Sequence, residues 1–307
     1  MVIIFFKMRC ICCLSNRIIP RPLALEGYFR CLSCGLIFAG GDKKDDTREN
    51  LISHYQDVDP YEKVENSRHS FFNSTLEHLS SKLKKNKKTI LDVGCGYGYF
   101  LELASGKGWN TSGVEIMDIT ATHAKEKLGD QKIFHGTLRE AKYPDNSFDV
   151  ITLWDVLFIV ENPFEELKEC YRVLNEGGII GIRVRNLSFQ KIAYWIYSFL
   201  KKIEPQLKIK KPHVFHRYCF SSQSIYQLLH RIGFTNIKVA NSPLTKGDPY
   251  SYALSLGLLK AAKITADFYS RLGFWISGGR WVIGPSLLVW AEKPQSILKR
   301  TRENLHD

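Results

Sequence analysis

The chain has 307 residues, of which 44% are hydrophobic, so it can bury one substantial core and still supply a small second domain. A chain of this length and composition is neither too small nor too polar to fold on its own. Lysine and arginine outnumber aspartate and glutamate by 43 to 31, giving a net charge of +12. The charge suits an anionic partner, such as nucleic acid, lipid headgroups or a phosphorylated substrate, and equally a merely solvated basic surface.

The chain begins with the apolar stretch MVIIFFK. This stretch is far shorter than the ~18 residues that a membrane span needs, and it lacks the basic start and small-residue cleavage site of a secretory signal. We therefore expect a cytoplasmic protein. Met8 lies just before the first cysteine, so the residues before it can be an upstream start or a frayed end, and we assign them no function.

Four cysteines near the start form two CxxC pairs, Cys10 with Cys13 and Cys31 with Cys34, separated by seventeen residues. Two such turns at this spacing aim four thiolates at one tetrahedral Zn2+, so residues 1–40 are predicted to form a structural or docking zinc ribbon. Cys12 is a surplus thiol beside the site. Disulfides are the alternative, disfavoured because nothing indicates export, and coincidental spacing is a third explanation.

Residues 41–88 are predicted to link the ribbon to the main domain. The polar, glycine-led GGDKKDDTREN marks a linker that ends near residue 50. Residues 51–86 mix aromatic and polar positions in the manner of helices that lead into the domain.

From residue 89 onward, apolar runs alternate with helical patterns, which is typical of a doubly wound parallel α/β sheet. Strands are predicted at 89–93, 110–115, 132–134, 148–153 and 178–183, and helices near 98–107, 119–128 and 163–173. Ligands of such sheets bind at the carboxyl ends of the strands, where the strand order reverses.

The first of these strands runs into TILDVGCGYGYF, which has glycines at positions 94, 96 and 98. Glycines let the backbone pass under a ligand, and the following helix offers free N–H groups. Tyr99 stands where a dinucleotide fingerprint needs its last glycine, and no Gly-Lys-Ser/Thr of a P-loop follows. Asp92 suits a cationic aminoacyl group or a bracing role, so we predict a ligand other than a dinucleotide.

Glu115 ends the second predicted strand, in GVEIM, about twenty residues beyond the glycine loop. A carboxylate at this place can accept hydrogen bonds from both hydroxyls of a ribose. The strand, Asp92, the three glycines and Glu115 together are a much more specific signal than a glycine loop alone.

Taken in order, LDVGCGYGYF, GVEIM, FDVITLWDVLFIVENP and LNEGGIIGIRV resemble the class I S-adenosylmethionine-dependent methyltransferases. The resemblance covers about residues 50–241 and 281–293, and a ribbon followed by such a domain is a known arrangement in that family. It implies a Rossmann-like sheet of seven strands within residues 89–293 and S-adenosylmethionine as the cofactor.

The resemblance also implies a set of cofactor-binding residues: Asp92, Gly94, Gly96, Glu115, Ile116, Thr137, Leu138 and Trp154. In this set the glycines approach the methionine part and the glutamate binds the ribose. The backbone of the Thr-Leu pair borders the adenine, and the tryptophan closes the methyl-donor side together with Asp155.

Two departures from the family pattern limit what the resemblance implies. Many relatives carry an acid where Thr137 stands, so a side-chain contact to the adenine amino group is not carried over. Many relatives also read DVLEHV after the fourth strand, whereas this chain reads DVLFIV. Phe158 and Ile159 replace the Glu-His pair, and no catalytic role is borrowed from that pair.

A general base, where one is needed, must therefore come from elsewhere. Methyl transfer from a sulfonium requires an aligned nucleophile, at roughly 3 Å, and removal of its proton if it carries one. His213 and His216 in KKPHVFHRYCFS are candidates because histidine titrates near neutrality, and the alternative is that they cap or pack a helix. Asp155 is a further candidate, although a cofactor-side residue can serve only to orient.

Two amphipathic segments, at about 187–212 and 243–280, are predicted insertions. We expect both to pack on the domain as a lid, and the alternative is that they lie on an anionic membrane surface. The second would lie between a strand at 235–240 and the last strand at 281–291, which form an antiparallel hairpin in the family. Residues 294–307 form a basic tail.

The favoured function is methyl transfer from S-adenosylmethionine to a small-molecule or sugar-containing acceptor that can be lipid-linked. With a lipid-linked acceptor, the protein would work at the membrane surface. An RNA methyltransferase is the first alternative, since ribosomal RNA guanine methyltransferases also join a cysteine knuckle to this fold. The lysine-rich SKLKKNKK and KKIEPQLKIKK, however, lack a base-stacking platform. A non-enzymatic ribbon protein with a decayed cofactor pocket is the second alternative.

Overall fold

The computed structural model describes residues 8–20, 26–40, 68–83, 88–203, 216–243, 245, 269–270, 272–279 and 281–295. The strands are β1 (Ile18–Pro20), β2 (Tyr28–Cys31), β3 (Ile37–Ala39), β4 (Thr89–Val93), β5 (Asn110–Glu115), β6 (Ile133–His135), β7 (Phe148–Trp154), β8 (Leu174–Arg185), β9 (Tyr218–Cys219), β10 (Thr235–Asn241) and β11 (Ser286–Glu292). The helices are α1 (His69–Lys82), α2 (Tyr99–Gly106), α3 (Asp118–Leu128), α4 (Pro163–Val173), α5 (Leu187–Ile203) and α6 (Ser222–Ile232).

The main sheet has seven strands in the order β10-β11-β8-β7-β4-β5-β6. Strands β4 to β8 pair in parallel, while β11 runs antiparallel to both β8 and β10. The order reverses next to β4, and the carboxyl ends of β4, β5, β7 and β8 therefore share one edge of the sheet. The predicted seven-stranded α/β fold and its closing hairpin are confirmed.

Local sequence explains the central elements. All seven residues of β7 are buried, as expected for a parallel strand that is covered on both faces. Asn162 caps α4 by accepting hydrogen bonds from the backbone N–H groups of Phe164 and Glu165, and Pro163 fills the first helical position. The reciprocal hydrogen bonds of Ser221 and Ser224 start α6 in the same way.

Five predicted strands differ in their bounds, and two of them, at 148–153 and 235–240, only end one residue later. The strand expected at 178–183 is longer, and the one expected at 132–134 begins one residue later. The last strand begins at Ser286 rather than at 281, because the Asn186 side chain binds the carbonyl oxygens of Val282 and Gly284 and holds that stretch as a loop.

The cysteine-rich segment is joined to the main domain by backbone pairing. Strands β1, β2 and β3 form a small antiparallel sheet, and β9 pairs antiparallel with β3 as its fourth strand. Cys10, Cys31 and Leu36 belong to the same buried cluster as Leu228 of α6. The predicted linker at 41–50 and the first part of the predicted leading helices, residues 51–67, lie outside the described residues, while α1 confirms a helix in the later part. The ribbon is docked rather than merely tethered.

The prediction that the first insertion packs on the domain as a lid is wrong for the outer face of α5. Helix α5 leaves Ile192, Trp195, Ile196 and Phe199 exposed. Most of the second insertion, residues 204–215 with His213, and residues 296–307 lie outside the described part of the chain. Within the described residues, no helix has the length and hydropathy needed to cross a bilayer.

Candidate functional site

The glycine loop follows β4 at the edge where the parallel strands end. Gly94, Gly96 and Gly98 all have positive φ angles, of 71°, 54° and 78°, a conformation that favours glycine. The backbone N–H groups of Gly94 and Cys95 both donate to the carbonyl oxygen of Val114, at 2.8 and 3.1 Å. The loop is thus anchored to β5, and α2 begins directly after it.

Glu115, the last residue of β5, holds the loop from the other side. Its Oε2 accepts the backbone N–H of Gly96 at 2.8 Å, and its Oε1 accepts that of Met117 at 2.9 Å. Burial raises the pKa of this carboxyl, against the lowering effect of the backbone hydrogen bonds. Each oxygen retains a second lone pair, so the carboxylate can still accept two hydrogen bonds from a vicinal diol.

Asp92 is buried and is tied to the sheet. The hydroxyl of Thr152 on β7 donates to Asp92 Oδ1 at 2.6 Å. This contact connects two neighbouring strands just below the glycine loop. Of the two roles predicted for Asp92, bracing is the one for which the structure supplies a contact.

The turn after β6 carries Thr137 and Leu138, the residues expected near an adenine. Thr137 donates through both its backbone N–H and its hydroxyl to Glu140 Oε2, each at 2.8 Å, and the two hydrogen bonds lower the pKa of Glu140. The Glu140 N–H returns a bond to the Thr137 hydroxyl, at 3.3 Å. Sequence reasoning missed Glu140, although Thr-x-x-Glu is a capping-box pattern. Leu138 is buried, and Ile116, which directly follows β5, is exposed.

Trp154 ends β7 within an aromatic cluster. Its ring centroid lies 5.3 Å from that of Phe71, 5.4 Å from that of Phe100 and 6.3 Å from that of Trp290. The indole Nε1 is buried with no hydrogen-bond partner among the described residues. The side chain therefore supplies an apolar wall, with one buried donor left for a further acceptor.

Asp155 follows Trp154 and is held between two arginines. Its Oδ2 contacts Arg183 Nη1 of β8 and lies 3.0 Å from Arg68 Nη2, just before α1. Asp155 has a φ of 61°, unusual for a residue other than glycine, and its N–H donates to the Arg183 carbonyl oxygen at 2.9 Å. Both arginines were missed, although an arginine inside the apolar IIGIRVR run was a signal for Arg183.

Arg183 is only 1% exposed and continues this network away from Asp155. Its Nε donates to the hydroxyl of Ser242, at 3.0 Å, and its Nη2 to that of Thr245, at 3.4 Å. A carboxylate already bound by two guanidinium groups is better suited to hold the strand ends in place than to collect a proton. These contacts favour an orienting role for Asp155 over the role of a general base.

His216 lies against Phe158, with ring centroids 4.6 Å apart. Phe158 occupies the place of the missing Glu-His pair, and the Arg185 guanidinium lies 5.3 Å from its ring centre. The Tyr218 N–H donates to the Phe158 carbonyl oxygen at 3.1 Å, which fixes β9 beside the end of β7. His216 thus lies beside the end of β7, while His213 lies outside the described residues.

The four predicted metal ligands, Cys10, Cys13, Cys31 and Cys34, converge. Their sulfur atoms all lie within 4.8 Å of one another, and two of the distances are 3.5 Å. A tetrahedral tetrathiolate site has sulfur separations of about 3.8 Å, so the donor set fits a metal ion. Hydrogen bonds from Cys12 and Cys34 lower the pKa of the Cys10 thiol. Burial raises the pKa of the Cys12 thiol.

Comparison with known proteins gives a consistent picture. Residues 64–239 match a family described as a methyltransferase domain. A Mycolicibacterium smegmatis protein, named a probable S-adenosylmethionine-dependent methyltransferase, is 29% identical over 99 residues, which are 32% of this chain and 38% of that protein. The demethylmenaquinone methyltransferase of a Geobacillus species is 24% identical over 62% of this chain and 88% of its own length.

Among solved structures, an S-adenosylmethionine-dependent methyltransferase from Archaeoglobus fulgidus superposes with a TM-score of 0.48. It is 21% identical in sequence, and the superposition covers 76% of this chain and 97% of the other.

Proposed function

Because this chain belongs to the methyltransferase domain family of S-adenosylmethionine-dependent enzymes, we propose that it transfers a methyl group from that cofactor to a small-molecule acceptor. We further propose that this acceptor is a free small molecule or a sugar-containing compound, and that it can be lipid-linked. The small-molecule class is supported by the Geobacillus relative, whose name identifies demethylmenaquinone as its substrate.

The proposal is carried by the contact between Glu115 and the glycine loop. The carboxylate is buried, accepts the Gly96 N–H at 2.8 Å, and keeps free lone pairs for a ribose diol. Glu115 thus fixes the conformation of the glycine loop and also offers the carboxylate that would bind the ribose. The exposed Ile116 supplies apolar surface beside the expected adenine position, and the backbone of Thr137 and Leu138 borders it.

When bound, the cofactor supplies a methyl group already activated on a sulfonium, so the protein mainly has to align the acceptor. Trp154 forms an apolar wall that excludes water from the end of β7. Asp155, held by Arg68 and Arg183, fixes the strand ends on the acceptor side. His216 is the described candidate for removing a proton from an acceptor hydroxyl, and His213 remains a candidate from sequence.

We also propose that the four-cysteine cluster holds zinc. Zinc prefers tetrahedral thiolate sites that are closed to solvent, and three of the four cysteines are fully buried. All eight cysteines are free thiols, which suits a reducing cytoplasmic compartment. The metal is structural here, because the four ligands leave no open coordination position.

The test begins with calorimetric binding of S-adenosylmethionine and S-adenosylhomocysteine to the purified protein. We expect micromolar binding, followed by methyl transfer to a compound in a panel of quinols, free sugars, lipid-linked sugars and ribosomal RNA. Transfer to RNA alone, with salt-dependent RNA binding, would replace the acceptor class proposed here. A folded protein that binds neither cofactor form would contradict the proposal.

The base is tested by His216→Ala and His213→Ala in the same assay. A catalytic base is expected to lower kcat by about 100-fold or more with little change in cofactor affinity. If the kcat of His216→Ala is unchanged, His216 is not the base and only packs against Phe158.

A further inference from the structure

The outer face of α5 is apolar and exposed. Ile192, Trp195, Ile196 and Phe199 follow the spacing of one helical face, and Trp195 is 67% exposed. The rings of Trp195 and Phe199 stack with centroids 5.7 Å apart, so they form a continuous aromatic surface rather than separate side chains. The helix is anchored at its start, where Leu187 and Gln190 are buried.

A second exposed apolar stretch lies in residues 272–283. Trp275 is 79% exposed, Ile276 66% and Trp281 60%. Residues 272–276 are helical, and the neighbouring Phe274 packs on the main core and holds this stretch in place. Three of the six tryptophans of the chain, counting Trp195, are therefore more than half exposed, which is uncommon unless they meet an apolar surface.

Asn186 connects the two stretches. It immediately precedes α5, and its side chain donates to the carbonyl oxygens of Val282 and Gly284, at 2.9 and 2.8 Å. Both stretches therefore leave the domain from the same place. We call them together the aromatic face: α5 and residues 272–283.

The aromatic face leaves the domain at the edge of the sheet that carries the glycine loop. The end of β8 at Arg185 lies opposite the start of β11 at Ser286, and β8 runs parallel to β7 and β4. The carboxyl ends of these strands lie at one edge. A surface that binds the aromatic face would therefore lie on the side from which the acceptor enters.

The charged side chains in these two segments are all basic. Residues 187–203 and 269–290 contain five basic residues, Lys191, Lys201, Lys202, Arg271 and Arg280, and no aspartate or glutamate. Tryptophans at a water–lipid boundary, with lysine and arginine beside them, are typical of proteins that lie on anionic bilayers. A second copy of this chain would bring the same basic segments face to face, which argues against a self-association surface.

We propose that the aromatic face binds the surface of an anionic lipid bilayer. The inserted groups are the indole rings of Trp195, Trp275 and Trp281, with the exposed Lys202 of α5 at the headgroup level. The inference goes beyond the proposed methyl transfer, to which it adds a route for a lipid-linked acceptor. Bilayer binding is measured without cofactor or acceptor, so failure of one proposal is distinguishable from failure of the other.

The test is co-sedimentation of the full chain with vesicles of phosphatidylcholine alone, and of equal parts phosphatidylcholine and phosphatidylglycerol. We expect binding to the anionic vesicles, at least about tenfold weaker binding to the neutral ones, and weakening with added salt. The double variant Trp195→Ser, Trp275→Ser should lose about tenfold or more in anionic vesicle binding while it binds S-adenosylhomocysteine as the wild type does. Tyr226→Ser is the matched control, since Tyr226 is an exposed aromatic residue on α6, outside the aromatic face.

Three outcomes would overturn the proposal. The first is a wild-type protein that binds neither vesicle, and the second is a double variant that binds as tightly as the wild type. The third is a wild-type dimer in light scattering that the double variant dissociates, because the face would then be covered by a second copy.

Discussion

The carboxylate of Glu115 accepts the backbone N–H of Gly96 at 2.8 Å, although the two residues lie on different strand–loop units. The end of β5 thus fixes the conformation of the loop after β4. In the proposed binding mode the cofactor contacts both the loop and the carboxylate, so loss of this contact should weaken its binding in two ways. The contact also makes cofactor binding sensitive to the protonation of one buried group.

The first prediction concerns pH. Burial raises the Glu115 pKa above its ordinary value of 4.5, and a ribose diol binds the ionised form. Cofactor affinity should therefore fall as the pH is lowered through that raised pKa. In the free protein the sign is opposite, since the raised pKa favours folding below 4.5 and this contribution is lost as the pH rises through the folded value.

Calorimetry across pH, on the wild type and on Glu115→Gln, checks this. Glu115→Gln should bind the cofactor about 10- to 100-fold more weakly, since a charge-assisted hydrogen bond contributes about 1.5–3 kcal/mol. Its residual affinity should not vary over the acidic range. An equally steep pH dependence in the variant would assign the titration to another group.

The second prediction compares two glycines of the same backbone conformation. A Cβ at Gly94 would lie 2.4 Å from Val156 Cγ2, whereas a Cβ at Gly108 would meet nothing within 4 Å, and both have positive φ. Both Gly→Ala variants therefore carry the backbone strain, of roughly 1–2 kcal/mol, but only Gly94→Ala adds a clash beside the cofactor. Denaturant unfolding and cofactor binding should separate them, with binding lost only at Gly94. If the two variants lose equal stability and equal cofactor affinity, backbone strain alone explains the losses.

The third prediction concerns the buried ion pair. Asp155→Asn leaves the Arg183 guanidinium, 1% exposed, without its carboxylate, so the free energy of unfolding should fall by about 3–5 kcal/mol. The double variant Asp155→Asn, Arg183→Met removes the stranded charge and should regain most of that stability. If the double variant regains stability and also full kcat, the pair contributes to stability alone and neither residue takes part in catalysis. Recovered stability with kcat still lowered about 100-fold would assign Asp155 a direct role in proton transfer.

The fourth prediction concerns the metal. The ribbon shares a buried cluster with α6, and the Arg231 guanidinium binds the carbonyl oxygen of Ile11 at 2.6 Å. Cys34→Ser should therefore lower the melting temperature of the whole domain, rather than release a separately unfolding ribbon. Cys12→Ala is the control, and it should retain one zinc per chain by metal analysis. A Cys34→Ser protein that melts like the wild type would show that the ribbon adds no stability to the domain.

The same coupling extends to the acceptor side. Strand β9 pairs with β3 of the ribbon, and its Tyr218 binds the Phe158 carbonyl oxygen. In an acceptor assay, Cys34→Ser should raise the acceptor KM more than it changes the cofactor affinity. An equal loss of both would indicate general unfolding instead.

The sequence by itself determined the features that depend on neighbouring residues. The loop glycines, the buried strands and the CxxC pairs each have a short-range pattern with one dominant physical cause: positive φ, burial on both faces, or tetrahedral thiolate geometry. The number of residues between the glycine loop and Glu115 was also predictable from the sequence, because one βαβ unit has a nearly constant length. The fold and the cysteine cluster followed from these signals.

Only the tertiary structure decided which distant residues meet. Arg68 and Arg183 reach Asp155 from separate elements, and β9 joins the ribbon from nearly 180 residues further along the chain. No local pattern encodes such contacts, because they depend on how the helices and strands pack. The same holds for the outer face of α5: its periodicity predicts an apolar stripe, but whether that stripe is covered depends on the shape of the surface it meets.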